Sequence, residues 1–251
     1  MKQTRIIMGM PVTVEVADGA LTRAAATEHL EIAFAYFTYV DEKFSTFKEQ
    51  SEISLINRRQ RTLAQASQDM RTIFALAEQT KQETDGYFDI ANEGGYDPSG
   101  IVKGWAINNA AAILWQRGVR NFYVEAGGDL QAMGKNGEGE PWQVGIRNPF
   151  AFDEIVKVLA VSDCGVATSG TYLQGQHIYN PKARNQPITE IASLTVVGPN
   201  IYDADRFATA AFAMGRAGIR FIESLAGFEG YLIDQERQAT LTSGFTRYVS
   251  L

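Results

Sequence analysis

The sequence predicts an α+β protein folded as a single domain, residues 1–251, and three observations carry that reading. A chain of 251 residues with 45% hydrophobic and 21% charged content has the balance of a globular protein with a substantial core. Both structural periods are present: PVTVEV (11–16) alternates apolar and polar side chains, whereas residues 21–44 repeat apolar positions at helical spacing. Strand and helix patterns then follow one another in mixed order, with no internal repeat, low-complexity tract or linker to divide the chain.

Taken in order, PVTVEV reads as a half-buried strand. A helix follows from about Leu21 to Phe44, with Leu30, Phe34, Phe37 and Val40 on one face. SEISLIN (51–57) reads as a short turn with a helical start that Ser51 caps. A second long helix covers 67–83 and stops at TDG (84–86), where glycine permits positive φ. After the punctuated stretch ANEGGYDPSG (91–100), a helix runs from about Val102 to Arg117 and is closed by Gly118. NFYVEA (121–126), WQVGIR (142–147), EIVKVLAVS (154–162) and ASLTVVG (192–198) read as strands. Helices near 204–214 and 216–226 precede two last strands, GYLID (230–234) and one within 239–249.

The formal net charge of −6 argues against a nucleic-acid surface or a polybasic membrane anchor. One cysteine, Cys164, excludes an intrachain disulfide and a cysteine-based zinc site, and two histidines exclude a histidine-rich metal site. The opening MKQTRIIMGMPVTVEVADG lacks the apolar core and cleavage site of a secretory leader, and no run is apolar enough to span a bilayer. The expectation is a soluble, cytoplasmic protein.

Four stretches carry candidate chemistry. In DADRFATAAFAMG (203–215), Asp205 and Thr209 lie four residues apart, one above the other on a helix. Carboxylate and hydroxyl are hard oxygen donors suited to Mg²⁺. The same pair also suits a plain structural role, with Asp205 at the helix start and Thr209 bonding back to a carbonyl. In DPSGIVKGWA (97–106), Lys103 falls in the first helical turn, where the macrodipole disfavours a cation by about 0.3–1 kcal/mol and a bound anion would reverse the sign. A solvated lysine explains it equally well. EAGGDLQAMG (125–134) offers a close backbone approach or a simple turn between strands; without GxGxxG it is not a dinucleotide fingerprint. An unperturbed imidazole titrates near neutrality, which suits a histidine such as His177 to general-base work, and the same residue equally suits a surface turn. Phe44, Phe47, Tyr87, Phe88 and Trp105 either stack a planar ligand or fill the core.

The order of motifs says more than any one of them. Met8-Gly9-Met10, FSTFKEQSEISLIN (44–57), TDGYFD (84–89), DPSGIVKGWAIN (97–108), YVEAGGDLQAMG (123–134), WQVGIRNP (142–149), VATSGTY (166–172), HIYNP (177–181) and ADRFATAAFAMG (204–215) together resemble the ApbE family of FAD:protein FMN transferases. The resemblance implies a single-domain, T-fold-like architecture with a mixed sheet and flanking helices. It implies FAD and Mg²⁺ as ligands, transfer of FMN to a threonine or serine of an acceptor flavoprotein, and release of AMP. Some relatives instead hydrolyse FAD to FMN and AMP, and some mainly hold FAD.

Carried over by motif, Asp205, Thr209 and the Gly100 carbonyl fall at metal positions. Asp97 and Lys103 fall at FAD contacts, and Met8, Phe47, Tyr87, Phe88, Asp89 and Ile178 at flavin-site positions. His177 falls where the family places the base for the acceptor hydroxyl. Two departures stand out. Only Ile90 to Tyr96 separate segments that relatives space by some tens of residues, implying a thinner cleft wall or one supplied by a second subunit in a homo-oligomer. Asn180 stands where the family carries an aspartate, removing a charge near the proposed base.

Overall fold

A computed structural model describes residues 1–170, 179–183 and 187–250. The chain opens with a hairpin, β1 (Lys2–Ile7) and β2 (Met10–Val16). Its two-residue turn is Met8-Gly9, at φ 56° and 73°. Positive φ at both positions matches the right-handed twist of the paired strands. Strand β1 was not expected, because its segment KQTRII lacks a clean alternation and lies at the sheet edge, where no apolar face is demanded.

Three helices follow, each begun by a hydroxyl cap: α1 (Arg23–Phe44) by Thr22, α2 (Glu52–Asn57) by Ser51 and α3 (Gln68–Glu83) by Ser67. In each, the hydroxyl accepts a backbone N–H of the first turn, satisfying a donor with no helical partner. The α3 exit turns through Asp85 and Gly86, at φ 49° and 77°. Next comes a minimal hairpin, β3 (Ala91–Asn92) with β4 (Gly95–Tyr96). The side chain of Asn57 clasps it from α2: Nδ2 donates to the Tyr96 carbonyl at 2.9 Å and Oδ1 accepts the Tyr96 N–H at 2.8 Å. The Asp97 N–H donates to the Ile90 carbonyl at 2.8 Å, closing the segment at its base.

Beyond it lie α4 (Ser99–Gln116), β5 (Phe122–Ala126), β6 (Asp129–Met133), β7 (Trp142–Asn148), β8 (Ala151–Val161), β9 (Cys164–Gly170), β10 (Ile191–Gly198), α5 (Ile201–Ala213), α6 (Gly218–Ser224), β11 (Glu229–Asp234) and β12 (Ala239–Leu241). Eight strands form one sheet in the order β1-β2-β5-β6-β9-β10-β11-β12. The α+β class and the helix-flanked sheet are as expected, but every described pairing in the sheet is antiparallel rather than mixed. Hairpins join β1 to β2 and β5 to β6, and the longer connections also return each strand against its neighbour's direction.

The main core lies between one sheet face and helices α1, α4 and α5, and includes Phe34, Phe37, Ile107, Leu114, Val124, Leu194 and Phe212. The separate β7–β8 ribbon covers part of the other face, with Trp142, Ile146 and Leu159 packed over Val166, Val197 and Ile233. Strand β10 is buried along its whole length as a result. Strand β9 was missed because CGVATSG is a run of small residues without period, a consequence of helix α5 lying directly on it. Among the described residues no helix is long and apolar enough to cross a membrane.

Candidate active site

Helices α4 and α5 approach closely because α4 carries a glycine at the crossing. A Cβ on Gly104 would stand 2.7 Å from the Asp205 Cβ and 3.0 Å from the Ile201 carbonyl oxygen. In its absence, the Gly104 N–H donates to Asp205 Oδ2 at 2.8 Å. That N–H is the one that would ordinarily serve the Gly100 carbonyl four residues earlier in the helix. The start of α5 is pinned from beneath as well. Asn200 caps it, the buried Gln131 Oε1 accepts the Ile201 N–H at 2.8 Å, and Gly165 of β9 lets the Ile201 backbone lie against the sheet.

This packing brings Gly100, Asp205 and Thr209 together: a Cβ on Gly100 would meet the Thr209 methyl at 3.5 Å and the Phe88 ring at 3.3 Å. The structural alternatives for the pair lose ground. Asp205 reaches across to α4 rather than capping its own helix, and Thr209 makes no side-chain hydrogen bond among the described residues.

Lys103 completes the cluster. Its Nζ lies 2.5 Å from Asp129 Oδ2 and 3.5 Å from Asp205 Oδ1. Helix α4 begins at Ser99, three residues earlier than the periodicity predicted, so Lys103 sits in the second turn and not the first. The dipole argument therefore gives way to two carboxylates, whose pull outweighs burial and holds the lysine above its usual pKa. Burial pushes the Asp205 carboxyl up to about 7, with Lys103 opposing and Asp129 reinforcing the rise. One ammonium against two acids leaves the cluster wanting further positive charge. Asp129 was not singled out from the sequence, although EAGGDL held the signal: Gly127 and Gly128, at φ 60° and 98°, turn the chain and deliver the next side chain inward. The turn between two strands, β5 and β6, is as expected.

The other described positions that the resemblance assigns to the flavin nucleotide lie in loops. Met8 is half-buried in the β1–β2 turn, and Phe47, after α1, is 97% exposed. Tyr87 is half-buried under the Lys182 ammonium, which lies 4.3 Å from the ring centre. Phe88 belongs to the core, Asp89 pairs with Lys81 at 2.8 Å, and Asp97 Oδ1 accepts the Ser99 N–H at 3.0 Å. A cavity of about 710 Å³ opens between α3 and the short hairpin, lined in part by Phe74, Lys81, Asp89 and Tyr96. His177 and Ile178 lie outside the described residues. Just after them, the Tyr179 hydroxyl donates to the carbonyls of Asp89 and Ala91 at 3.3 and 3.1 Å. Asn180 Oδ1 accepts the Lys182 N–H at 2.9 Å, a turn that an aspartate would make equally well.

Fold and site define an α+β protein with the architecture of the solved flavin transferases. The structure superposes on the flavin transferase ApbE from Vibrio cholerae with a TM-score of 0.84 at 21% identity, covering 99% of this chain and 98% of the other. It superposes on the ApbE protein of Thermotoga maritima with a TM-score of 0.89 at 20% identity, covering 100% and 99%. The chain belongs to the ApbE family, whose sequence pattern matches residues 8–96 and 91–232. The two matches meet at the short β3–β4 hairpin. The FAD:protein FMN transferase of Haemophilus influenzae is 25% identical over 321 aligned positions, covering 100% of this chain and 92% of its own length. That of Escherichia coli K12 is 30% identical over 149 positions, covering 56% of this chain and 42% of its own length, less than half of that relative.

Proposed function

We propose that this protein, acting as one domain, transfers FMN from FAD to a threonine or serine hydroxyl of an acceptor flavoprotein and releases AMP. The observation that carries the reading is the α4–α5 crossing, which gathers Gly100, Lys103, Asp205 and Thr209 at one point. The relatives named above are FAD:protein FMN transferases.

Carboxylate, hydroxyl and carbonyl oxygens suit Mg²⁺, and the excess acidity of the cluster suits a cation. Among the described residues no three His, Cys, Asp or Glu side chains cluster as a metal site, so the fit rests on the mixed set of Asp205, Thr209 and the Gly100 carbonyl. When bound, Mg²⁺ would neutralise charge on the pyrophosphate. Lys103 would hold the same group by charge and hydrogen bonding. His177 would take the acceptor hydroxyl proton as that oxygen bonds to the FMN phosphorus and the bond to AMP breaks. Met8, Phe47, Tyr87, Phe88, Asp89, Asp97 and Ile178 would orient the flavin nucleotide. The absence of any possible intrachain disulfide is compatible with a cytoplasmic setting.

A second reading, an FAD-binding protein without turnover, draws support from the short hairpin and from Asn180. Incubation with FAD and Mg²⁺, with and without an acceptor bearing an exposed threonine or serine, separates the cases. AMP with a covalent fluorescent flavin band marks transfer. AMP and free FMN without acceptor mark hydrolysis, and tight FAD without AMP marks a binder. Asp205→Ala is expected to cut turnover in Mg²⁺ at least about a hundredfold. His177→Ala is expected to keep FAD affinity and lose transfer; full transfer by that variant rejects the base assignment.

A further inference from the structure

Asp129 has no part in the reaction proposed above, yet its surroundings are among the most constrained in the cluster. It is 1% exposed and opens β6 immediately after the Gly127-Gly128 turn. Its Oδ1 accepts the Thr168 N–H at 2.8 Å. The side chain thereby prolongs the β6–β9 ladder past its last backbone pair, Leu130 with Val166. The other oxygen, Oδ2, makes no aligned hydrogen bond among the described residues; its ionic partner is the Lys103 ammonium at 2.5 Å. The same ammonium stops 3.5 Å short of Asp205 Oδ1, while Asp205 Oδ2 is engaged by Gly104.

We propose that Asp129 is a positioning residue that holds the Lys103 ammonium off Asp205, leaving Asp205 Oδ1 open to a divalent cation and the ammonium beside it for a substrate phosphate. The inference rests on the reading of Asp205 as a metal ligand and Lys103 as an FAD contact. Attraction between charges grows as their separation falls, so an ammonium between two buried carboxylates settles on the nearer, better anchored one. Thr168 anchors Asp129 through backbone, which fixes where the lysine ends. With Asp129 neutral, Asp205 would be the remaining carboxylate of the cluster, and a flexible lysine stem readily makes up the difference of about an ångström. Lysine and metal would then compete for one oxygen.

The test compares the unaltered full chain with Asp129→Asn, Lys103→Met and the double variant. Asparagine keeps an oxygen for the Thr168 N–H, removes the charge and turns an amide NH2, a donor, towards the Lys103 ammonium in place of the accepting Oδ2. Mn²⁺ binding without FAD is read by electron paramagnetic resonance, and FAD binding by quenching of flavin fluorescence. Asp129→Asn should weaken Mn²⁺ about tenfold or more, as loss of outer partners of metal ligands does. Lys103→Met should bind Mn²⁺ at least as tightly as the unaltered chain, and the double variant should recover most of the loss. A packing defect would not be cured by removing the lysine. For FAD, each single variant should weaken binding and the double should be no worse than Lys103→Met alone.

Unaltered Mn²⁺ affinity in Asp129→Asn, a double variant as weak as that single, weaker Mn²⁺ binding in Lys103→Met, or no Mn²⁺ binding to the unaltered chain each overturns the proposal. If Asp129→Asn fails to fold, Lys103→Met and the double variant still carry the test through the direction of their Mn²⁺ affinities. If the unaltered chain binds no FAD while the Mn²⁺ order holds, the FMN-transfer reading and the phosphate part of the proposal fail, and the role of Asp129 towards the metal stands.

Discussion

The α4–α5 seam and the loops that carry the proposed flavin contacts are built on opposite plans. In the seam, buried carboxylates are held by backbone N–H groups, Asp205 by Gly104 and Asp129 by Thr168, and glycines allow backbone to lie against backbone. Across the loops, Phe47 is almost fully exposed, Asp97 is exposed, and the adjoining hairpin has two residues per strand. Groups that stabilise developing charge gain most when fixed in advance, because nothing then reorganises during reaction. Groups that recognise a bulky nucleotide tolerate adjustment on loops carried by a rigid scaffold. The contrast predicts that substitutions in the seam cost stability, whereas those in the loops cost affinity.

The largest expected effect is Gly165→Ala. A Cβ there would lie 2.2 Å from the Ile201 nitrogen and 2.4 Å from its Cα, backbone atoms that cannot rotate away. Overpacking of this kind should cost about 3 kcal/mol or more, lowering Tm by roughly 6–12 °C. Thermal unfolding within 1–2 °C of the unaltered chain, on the order of the shift from an ordinary surface change, would show that the seam is softer than it looks. Gly104→Ala should cost less, about 2 kcal/mol, because the side chain of Asp205 shares the strain. It should also lower metal affinity, measured by titration, since the added Cβ pushes Asp205 away from the backbone N–H it accepts.

Phe47→Ala is the converse experiment. It should leave unfolding unchanged within about 0.5 kcal/mol and weaken FAD about tenfold, the scale of one lost aromatic stacking contact. A drop in Tm with FAD binding intact would place Phe47 among packing residues and break the comparison. Asn180→Asp should have the smallest effect. The turn to Lys182 survives, so stability holds, and transfer at neutral pH should rise severalfold if the restored charge supports the proposed base. An unchanged rate would make the departure from the family pattern inconsequential.

The helices were legible because apolar spacing marks their faces and Ser51 marks the start of α2, whereas the caps Thr22 and Ser67 emerge from the structure. Strands β1 and β9 were not. One lies at an edge that demands no pattern, and the other is thinned to small residues by the helix above it. Asp205 and Thr209 could be read because four-residue spacing is a property of one helix. Asp129 was hidden for the opposite reason: its importance arises from three elements meeting, α4, α5 and β6, and no spacing in the chain encodes that meeting. Lys103 was noticed for a local reason, the helix dipole, and its surroundings come from residues about 26 and 102 positions away.

The clasp on the β3–β4 hairpin has an evolutionary consequence. The Asp97 N–H meets the Ile90 carbonyl, so the chain leaves and re-enters the scaffold through adjacent points, and Asn57 steadies the stub between them. Lengthening a loop whose ends are already joined is inexpensive, about 0.6 kcal/mol for each doubling. The site between Ile90 and Asp97 is therefore a socket, into which a longer segment can be spliced or from which one can be lost while the seam stays intact. A segment can be exchanged there without disturbing the packing of α4 on α5.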